Sequence, residues 1–341
     1  MKVGAYMKIS ILGAGTWGMA LASLLVKNDH DVTVWSALPQ EIDDLRATGR
    51  QKNLPGIILP EAIKYTKELS EACRGAKLII YVVPSAFMRA TAKLSAPYLE
   101  DGVIISSASK GIEKGTLKTM TEIIEDEVSS ARKGLKYSVV ALSGPTHAEE
   151  VAAGIPTSIV AACEDEAVAC DIATAFSNSC MRAYMNTDVL GVELCGALKN
   201  IIAIAAGILR GMGLGDNTKA MLMTRGISEM TRMGMALGCQ KETFMGLAGI
   251  GDLIVTCTSV HSRNNRCGEL IGKGKTYEEA SKEIGMVVEG YYALEAAMEL
   301  SVKYGVEMPI TSAVYDIIHN GCTPQEAMYK LMNRNIKNEA K

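Results

Sequence analysis

Lys199 lies in Val192-Glu193-Leu194-Cys195-Gly196-Ala197-Leu198-Lys199-Asn200-Ile201-Ile202, a helical stretch too apolar to be solvated all round. A lysine there either snorkels its ammonium to water or faces a cleft. In a cleft, burial and a neighbouring cation lower its pKa towards neutrality and suit it to general acid–base work. Glu193 and Asn200 are candidate orienting partners, although Asn200 stands about 100° round the helix. A second lysine, Lys110, precedes Gly111 at the end of a serine-rich strand. It is either an ordinary solvated loop residue or a cation pointing into a cleft above a sheet.

The segment Gly249-Ile250-Gly251-Asp252-Leu253 through His261-Ser262-Arg263-Asn264-Asn265-Arg266 gathers donors densely. Arg263 can clamp an oxyanion through a bidentate fork, and Ser262 and Asn264 add neutral donors. A phosphate site on a small substrate and a capped polar interhelical loop both fit this spacing. Asp252 could orient a lysine or bind a substrate hydroxyl. His147, in Ser143-Gly144-Pro145-Thr146-His147-Ala148, would be the default base of a generic dehydrogenase. A lone histidine at a helix start also reads as a local hydrogen-bonding residue. Glu289 in Val287-Val288-Glu289-Gly290 is a further candidate.

These residues need elements to hold them, and the clearest is Gly13-Ala14-Gly15-Thr16-Trp17-Gly18. A β-branched run precedes it and an apolar helical pattern follows, the context in which G-x-G-x-x-G means dinucleotide binding. A plain strand–helix turn is the alternative. Gly13 would allow the tight turn, Gly15 close backbone approach to a pyrophosphate, and Gly18 close helix–strand packing. Strands are expected at Ile9–Leu12, Val32–Trp35, Leu78–Val83, Val103–Ser106, Ser138–Ser143, Ser158–Ala162 and Arg182–Met185, with helices between them at Gly18–Lys27, Pro39–Gly49, Phe87–Ala96 and Leu117–Val128. That alternation predicts a Rossmann-like, mostly parallel sheet covered on both faces. The strand ends carry Gly13, Val83-Pro84-Ser85, Ser109-Lys110-Gly111 and Ser143-Gly144-Pro145, loops suited to a cofactor cleft.

After about Asp188 the strand signals stop. Helical patterns cover 189–210, 217–238, 242–249, 276–284, 289–304, 310–319 and 323–332, with 251–265 read as a punctuating loop. The expected fold is therefore an α/β dinucleotide-binding domain, 1–188, and an all-α substrate domain, 189–341. An acid usually ends the second strand of an NAD-binding unit. Here that strand ends Val34-Trp35-Ser36-Ala37, with neither an acid nor an arginine.

At 341 residues the chain has room for both domains. A net charge of −3 and 5% aromatic residues exclude a basic or aromatic nucleic-acid surface. Four scattered histidines and nine cysteines without a C-x-x-C pair provide no metal-ligand spacing, so no metal is expected. Odd-numbered cysteines in apolar runs suit a reducing, cytoplasmic compartment. The start lacks a cleavable apolar region, and Met1 or Met7 could begin the chain. Val189–Leu209 is the most apolar segment. Glu193, Lys199 and Asn200 interrupt it short of the ~20 apolar residues of a membrane span, so a buried helix is expected.

Taken together, these motifs resemble bacterial NAD(P)-dependent glycerol-3-phosphate dehydrogenases along nearly the whole chain. The resemblance is carried by GAGTWG, LPGI at 54–57, VPS at 83–85, SKGIE at 109–113, SGPTHAEEV, ALKNIIAIAAGI, the GIGDL to RN stretch, and VVEG. It implies a C-terminal half like that of 6-phosphogluconate dehydrogenase and reversible reduction of dihydroxyacetone phosphate to sn-glycerol 3-phosphate, feeding glycerophospholipid synthesis, with NAD or NADP. It implies Lys199 as proton donor and acceptor. Lys110, Gly144, Thr146, Asp252, Ser262, Arg263 and Asn264 would surround the substrate. Thr16, Trp17, Lys110, Ala148, Arg263, Val287 and Glu289 would touch the cofactor, beside the glycines. Thr16 and Thr146 stand where the family often has serine, and each keeps a hydroxyl. Ala37 stands where many members have a basic or aromatic residue, which leaves NAD against NADP open. A homodimer is expected from the family and the long apolar helices. The competing readings are a β-hydroxyacid or 6-phosphogluconate dehydrogenase-like enzyme and a catalytically silent dinucleotide sensor.

Overall fold

The computed structural model describes residues 6–336 together with 338 and 339. The choice between Met1 and Met7 as the start turns on residues 1–5, which lie outside the described residues. Eight strands form one sheet: β1 (Lys8–Leu12), β2 (Asp31–Trp35), β3 (Lys64–Thr66), β4 (Leu78–Tyr81), β5 (Val103–Ser107), β6 (Tyr137–Ser143), β7 (Thr157–Ala162) and β8 (Met181–Asn186). Their order is β3-β2-β1-β4-β5-β6-β7-β8, parallel throughout except where β6 meets β7. The central strands are mostly apolar and almost wholly buried, with Ser10, Thr33, Ser106 and Ser107 buried among them, because helices cover both faces. The chain passes from β1 outward to β2 and β3, then returns to β4 on the other side of β1. A crevice therefore opens beyond the carboxyl ends of β1 and β4. The strand β3 was not among those expected. Three residues, Lys-Tyr-Thr, are too few to show an alternation.

Beyond Asn186 the described chain is helical. Its centre is Val189–Gly211, 23 residues long. By length and composition this helix could cross a bilayer, but it is almost wholly buried inside the fold. It packs most extensively against the helix Arg263–Gly272. Glycines face glycines at the crossing. A Cβ on Gly207 would stand 2.0 Å from the Asn265 carbonyl oxygen, and one on Gly268 2.0 Å from that of Ile204. Gly211 and Gly272 are equally confined, so the two backbones touch where side chains would normally keep helices 8–10 Å apart.

Three buried acids and the half-buried Glu289 tie helix starts to neighbouring elements. Asp188 accepts from the amides of Gly191 (3.0 Å) and Gln240 (2.9 Å). Glu193 accepts from the Thr121 amide at 2.9 Å and from its hydroxyl, at the start of the helix Met120–Ala131. Glu229 accepts from the amides of Ile310 (2.8 Å) and Thr311 (2.9 Å), where the helix Pro309–His319 begins. Glu289 accepts from the Ser85 amide at 3.1 Å and from its hydroxyl. Free N–H groups at a helix start favour such carboxylates.

The stretch 251–265 is not the loop expected. It contains the helix Asp252–Thr258 and the start of Arg263–Gly272, leaving 259–262 as the connection. The segment expected as one helix, 242–249, is Lys241–Met245 followed by a wider turn at Leu247–Gly251. Gly249 looks like a helix breaker in sequence. Its role is close approach, since a Cβ there would lie 2.0 Å from the Phe244 carbonyl oxygen.

Candidate active site

The glycine run forms the floor of the crevice. Gly13 has φ 130°, and a Cβ would sit 2.4 Å from the Val82 carbonyl oxygen. A Cβ on Gly18 would sit 2.0 Å from the Gly13 carbonyl oxygen, so only glycine lets the helix Thr16–Lys27 start this near the strand. Nothing lies within 4 Å of a Cβ placed on Gly15, which leaves its backbone open to a ligand. That helix has no side-chain cap and no acid in its first turn. The Thr16 hydroxyl is buried with no partner among the described residues. Free amides, an orphaned hydroxyl and open space suit a pyrophosphate. Trp17 and Ala148 are half-buried against the apolar core of the sheet half. A Cβ on Gly111 would lie 2.4 Å from the Ser85 Cβ, and Glu289 closes over Ser85 from the helical half.

One carboxylate collects both lysines. Lys199 donates to Asp252 Oδ1 at 2.7 Å and to the Thr256 hydroxyl at 2.6 Å. Lys110 donates to Asp252 Oδ2 at 2.5 Å and to the Gly144 carbonyl at 3.3 Å. Gly196, one turn before Lys199, makes room for the stem of Lys110, whose Cγ would lie 3.1 Å from a Cβ there. Burial pulls the Lys199 pKa down to about 8, with Asp252 opposing and Lys110 reinforcing. Burial pushes the Asp252 carboxyl up, but the two ammonium groups outweigh it and hold it below its usual range.

The orienting partners of Lys199 are thus Asp252 and Thr256. Glu193 and Asn200, considered from sequence, are engaged elsewhere. Glu193 points to Thr121, and Asn200 accepts from the Asn264 amide at 3.0 Å. The reason is helical: both stand off the Lys199 face and meet different neighbours. Thr256 was missed in the sequence. The available signal was its position four residues after Asp252, which on a helix places both on one face.

Arg263 opens its helix, next to the N-cap Ser262, whose hydroxyl accepts from the Asn265 amide at 3.2 Å. The Arg263 guanidinium donates to the Val287 carbonyl at 3.0 Å. Burial lowers its pKa, opposed by Glu289 and Glu149. Asn264 joins Asn200 to the Gly290 amide, 2.9 Å away. The Thr146 hydroxyl donates to the Gly144 carbonyl at 3.2 Å. No direct bond links Arg263, Ser262 or Thr146 to the two lysines; they stand on separate elements. His147 sits with its ring 5.8 Å from that of His261. Burial first, then Lys199, lowers its pKa.

Two family descriptions match the chain. The NAD-dependent glycerol-3-phosphate dehydrogenase N-terminus covers residues 8–169, and the C-terminus of the same family covers 188–329. A glycerol-3-phosphate dehydrogenase (NAD(P)+) 2 from Lactobacillus delbrueckii subsp. bulgaricus is 56% identical over 332 residues, spanning 97% of this chain and 98% of the relative. The glycerol-3-phosphate dehydrogenase (NAD(P)+) of Fusobacterium nucleatum is 46% identical over 333 residues, again 97% and 98% of the two chains. Among solved structures, glycerol-3-phosphate dehydrogenase from Coxiella burnetii superposes with a TM-score of 0.91 at 37% identity, covering 96% of this chain and 99% of that one. With the glycine-floored crevice and its paired lysines in place, and both halves matched in order, this chain belongs to the NAD-dependent glycerol-3-phosphate dehydrogenase family.

Proposed function

We propose that the chain catalyses reversible NAD(P)H-dependent reduction of dihydroxyacetone phosphate to sn-glycerol 3-phosphate, with Lys199 as the proton donor and acceptor. The observation that carries the reading is the buried Lys199–Asp252 pair joined by the half-buried Lys110, with Lys199 near pKa 8. Gly13, Gly15, Thr16, Trp17, Gly18, Ala148, Val287 and Glu289 would hold the dinucleotide. Bound there, the nicotinamide supplies or accepts the hydride at the carbonyl carbon.

The protein's share is the proton and the position. At neutral pH a lysine with a pKa of about 8 is mostly ammonium, ready to donate to a developing alkoxide. In the reverse direction its neutral form takes the alcohol proton. Asp252 keeps enough charge beside it to hold the ammonium in a buried place. Arg263, with Ser262, Asn264 and Thr146, would hold the substrate phosphate, so binding energy remote from the carbonyl orients it. Lys110 and Gly144 would line the end nearest the sheet. In this reading residues 1–188 work as the cofactor domain and 189–341 as the substrate domain. We place the enzyme in the cytoplasm, as a homodimer that supplies glycerophospholipid synthesis; nine unpaired cysteines support the compartment.

Replacing Lys199 with alanine tests the role. Turnover should fall by about 10²- to 10⁴-fold, while circular dichroism and NADH binding by fluorescence stay close to wild type. Near-wild-type turnover refutes the assignment. Consumption of NADH with a β-keto acid, and none with dihydroxyacetone phosphate, would transfer the protein to the rival enzyme class.

A further inference from the structure

The end of β2 lacks an acid in sequence, but the fold brings one to it. The Gly13 amide donates to the Trp35 carbonyl at 2.8 Å, so the glycine floor and the last residue of β2 are locked together. Ser36 follows directly and is buried. Its hydroxyl donates to Glu41 Oε2 at 2.6 Å and accepts from the Leu38 amide at 3.1 Å. Glu41, in the first turn of the helix Pro39–Thr48, thus reaches back five residues to the strand end. On the other side Thr66, in register with Trp35, donates its hydroxyl to Glu71.

The two cations nearest this spot, Arg46 and Lys67, whose carbonyl accepts from the Trp35 indole at 3.1 Å, are already engaged. Ala37 and Leu38 are exposed and apolar. Arg46 donates to the Tyr65 carbonyl, and Lys67 pairs with Asp43 at 2.6 Å. Arg50 lies past the far end of the ten-residue helix, about 15 Å along its axis. The strand end beside a dinucleotide floor is where the adenosine ribose is read: an acid accepts its 2′-hydroxyl, and an arginine pairs with a 2′-phosphate.

We propose that Glu41, held at the strand end by Ser36, makes this chain selective for NAD(H) over NADP(H), by accepting the free 2′-hydroxyl and repelling a 2′-phosphate. The proposal rests on the glycine run being the cofactor site and deepens that reading. A 2′-phosphate would bring a charge of roughly −1.5 to −2 beside Glu41, and the nearby Arg46 and Lys67 are held by the Tyr65 carbonyl and Asp43.

The test uses binding alone, with ADP-ribose and 2′-phospho-ADP-ribose titrated calorimetrically into the whole protein. ADP-ribose should bind about 10- to 100-fold tighter, the scale of a hydrogen bond to a charged group. Glu41→Gln should narrow the ratio chiefly by tightening the phosphorylated ligand. Ala37→Arg, at an exposed position, should narrow it further with little change for ADP-ribose. Equal affinities in the wild type, or a preference for the phosphorylated ligand, overturn the proposal and leave the cofactor site standing. Binding of neither ligand overturns the cofactor-site reading and the proposal with it. Both variants keeping the wild-type ratio also overturns the proposal.

Discussion

Removing the charge of Asp252 while keeping its shape, Asp252→Asn, probes the centre of the cluster. The carboxylate lies 2.7 Å from Lys199 and 2.5 Å from Lys110. With an effective dielectric of about 20, a charge pair at the first of these distances attracts by roughly 6 kcal/mol before solvation costs are counted. The asparagine oxygen returns part of this as a neutral hydrogen bond. Burial and Lys110 then act on Lys199 with no carboxylate opposing them, and a fall of one to three units from about 8 is expected. The direction follows from the charge: loss of an anion disfavours the ammonium. In wild type, kcat/KM for ketone reduction should fall as pH rises through about 8, because the donor loses its proton. In Asp252→Asn the same fall should come between roughly pH 5 and 7. Initial rates of NADH consumption from pH 5 to 9.5 give both midpoints. Below that midpoint, where both amines are charged and face each other without the carboxylate, the variant should also lose about 3–5 kcal/mol in urea unfolding. A midpoint that stays at wild-type pH, or moves up, refutes Asp252 as the group that sustains the charge on Lys199.

Two further outcomes are expected from packing and from the buried acids. Gly268→Ala places a methyl carbon 2.0 Å from the Ile204 carbonyl oxygen, where only backbone can yield. We expect about 3 kcal/mol lost in urea unfolding, the upper end for overpacking because only backbone can yield, and a raised KM for dihydroxyacetone phosphate because Arg263 starts the displaced helix; an unchanged urea midpoint would contradict the backbone contact. Glu193 is buried, and burial, opposed by the Thr119 and Thr121 hydrogen bonds, raises its pKa to about 7. The folded form therefore holds a proton that the unfolded form releases above about pH 4.5, so this residue's contribution to stability falls as pH climbs from about 4.5 to 7. Glu193→Gln, which can still bond the Thr121 amide and hydroxyl, should gain stability relative to wild type at pH 8 over pH 5; equal differences at both would show that Glu193 does not titrate in this range.

Much of this molecule is legible in the residues themselves. Continuous β-branched runs between glycine-rich turns announce a parallel sheet, and a lysine amid leucine and isoleucine announces a buried amine. Less legible is whatever depends on one element reaching another. Glu193, Glu229 and Asp188 look like ordinary helix residues until the amides they accept from are known. Glu41 looks solvated until its bond to Ser36 is seen. Glycine is the hardest to read, because one residue type serves two opposite ends. Gly13 permits a positive φ in a turn, whereas Gly268 sits inside a helix to let another backbone approach and Gly249 lets its own wide turn close on Phe244. The stretch 251–265 was expected to be a loop because Gly251, Asn264 and Asn265 punctuate it.

The glycine-to-glycine crossing has a mechanical consequence. Lys199 rides on one of the crossed helices and Arg263 begins the other. Backbones in contact have almost no freedom to slide, so the span between amine and guanidinium behaves as a fixed gauge. In the proposed roles of Lys199 and Arg263, a substrate must then bring its carbonyl and its anionic end to the right separation, since the gauge will not adjust to it. Lys110 is carried by the sheet half, so any adjustment on binding falls to that jaw. In such an instrument, discrimination by chain length needs no dedicated gatekeeping side chain; it is built into four residues that have no side chain at all.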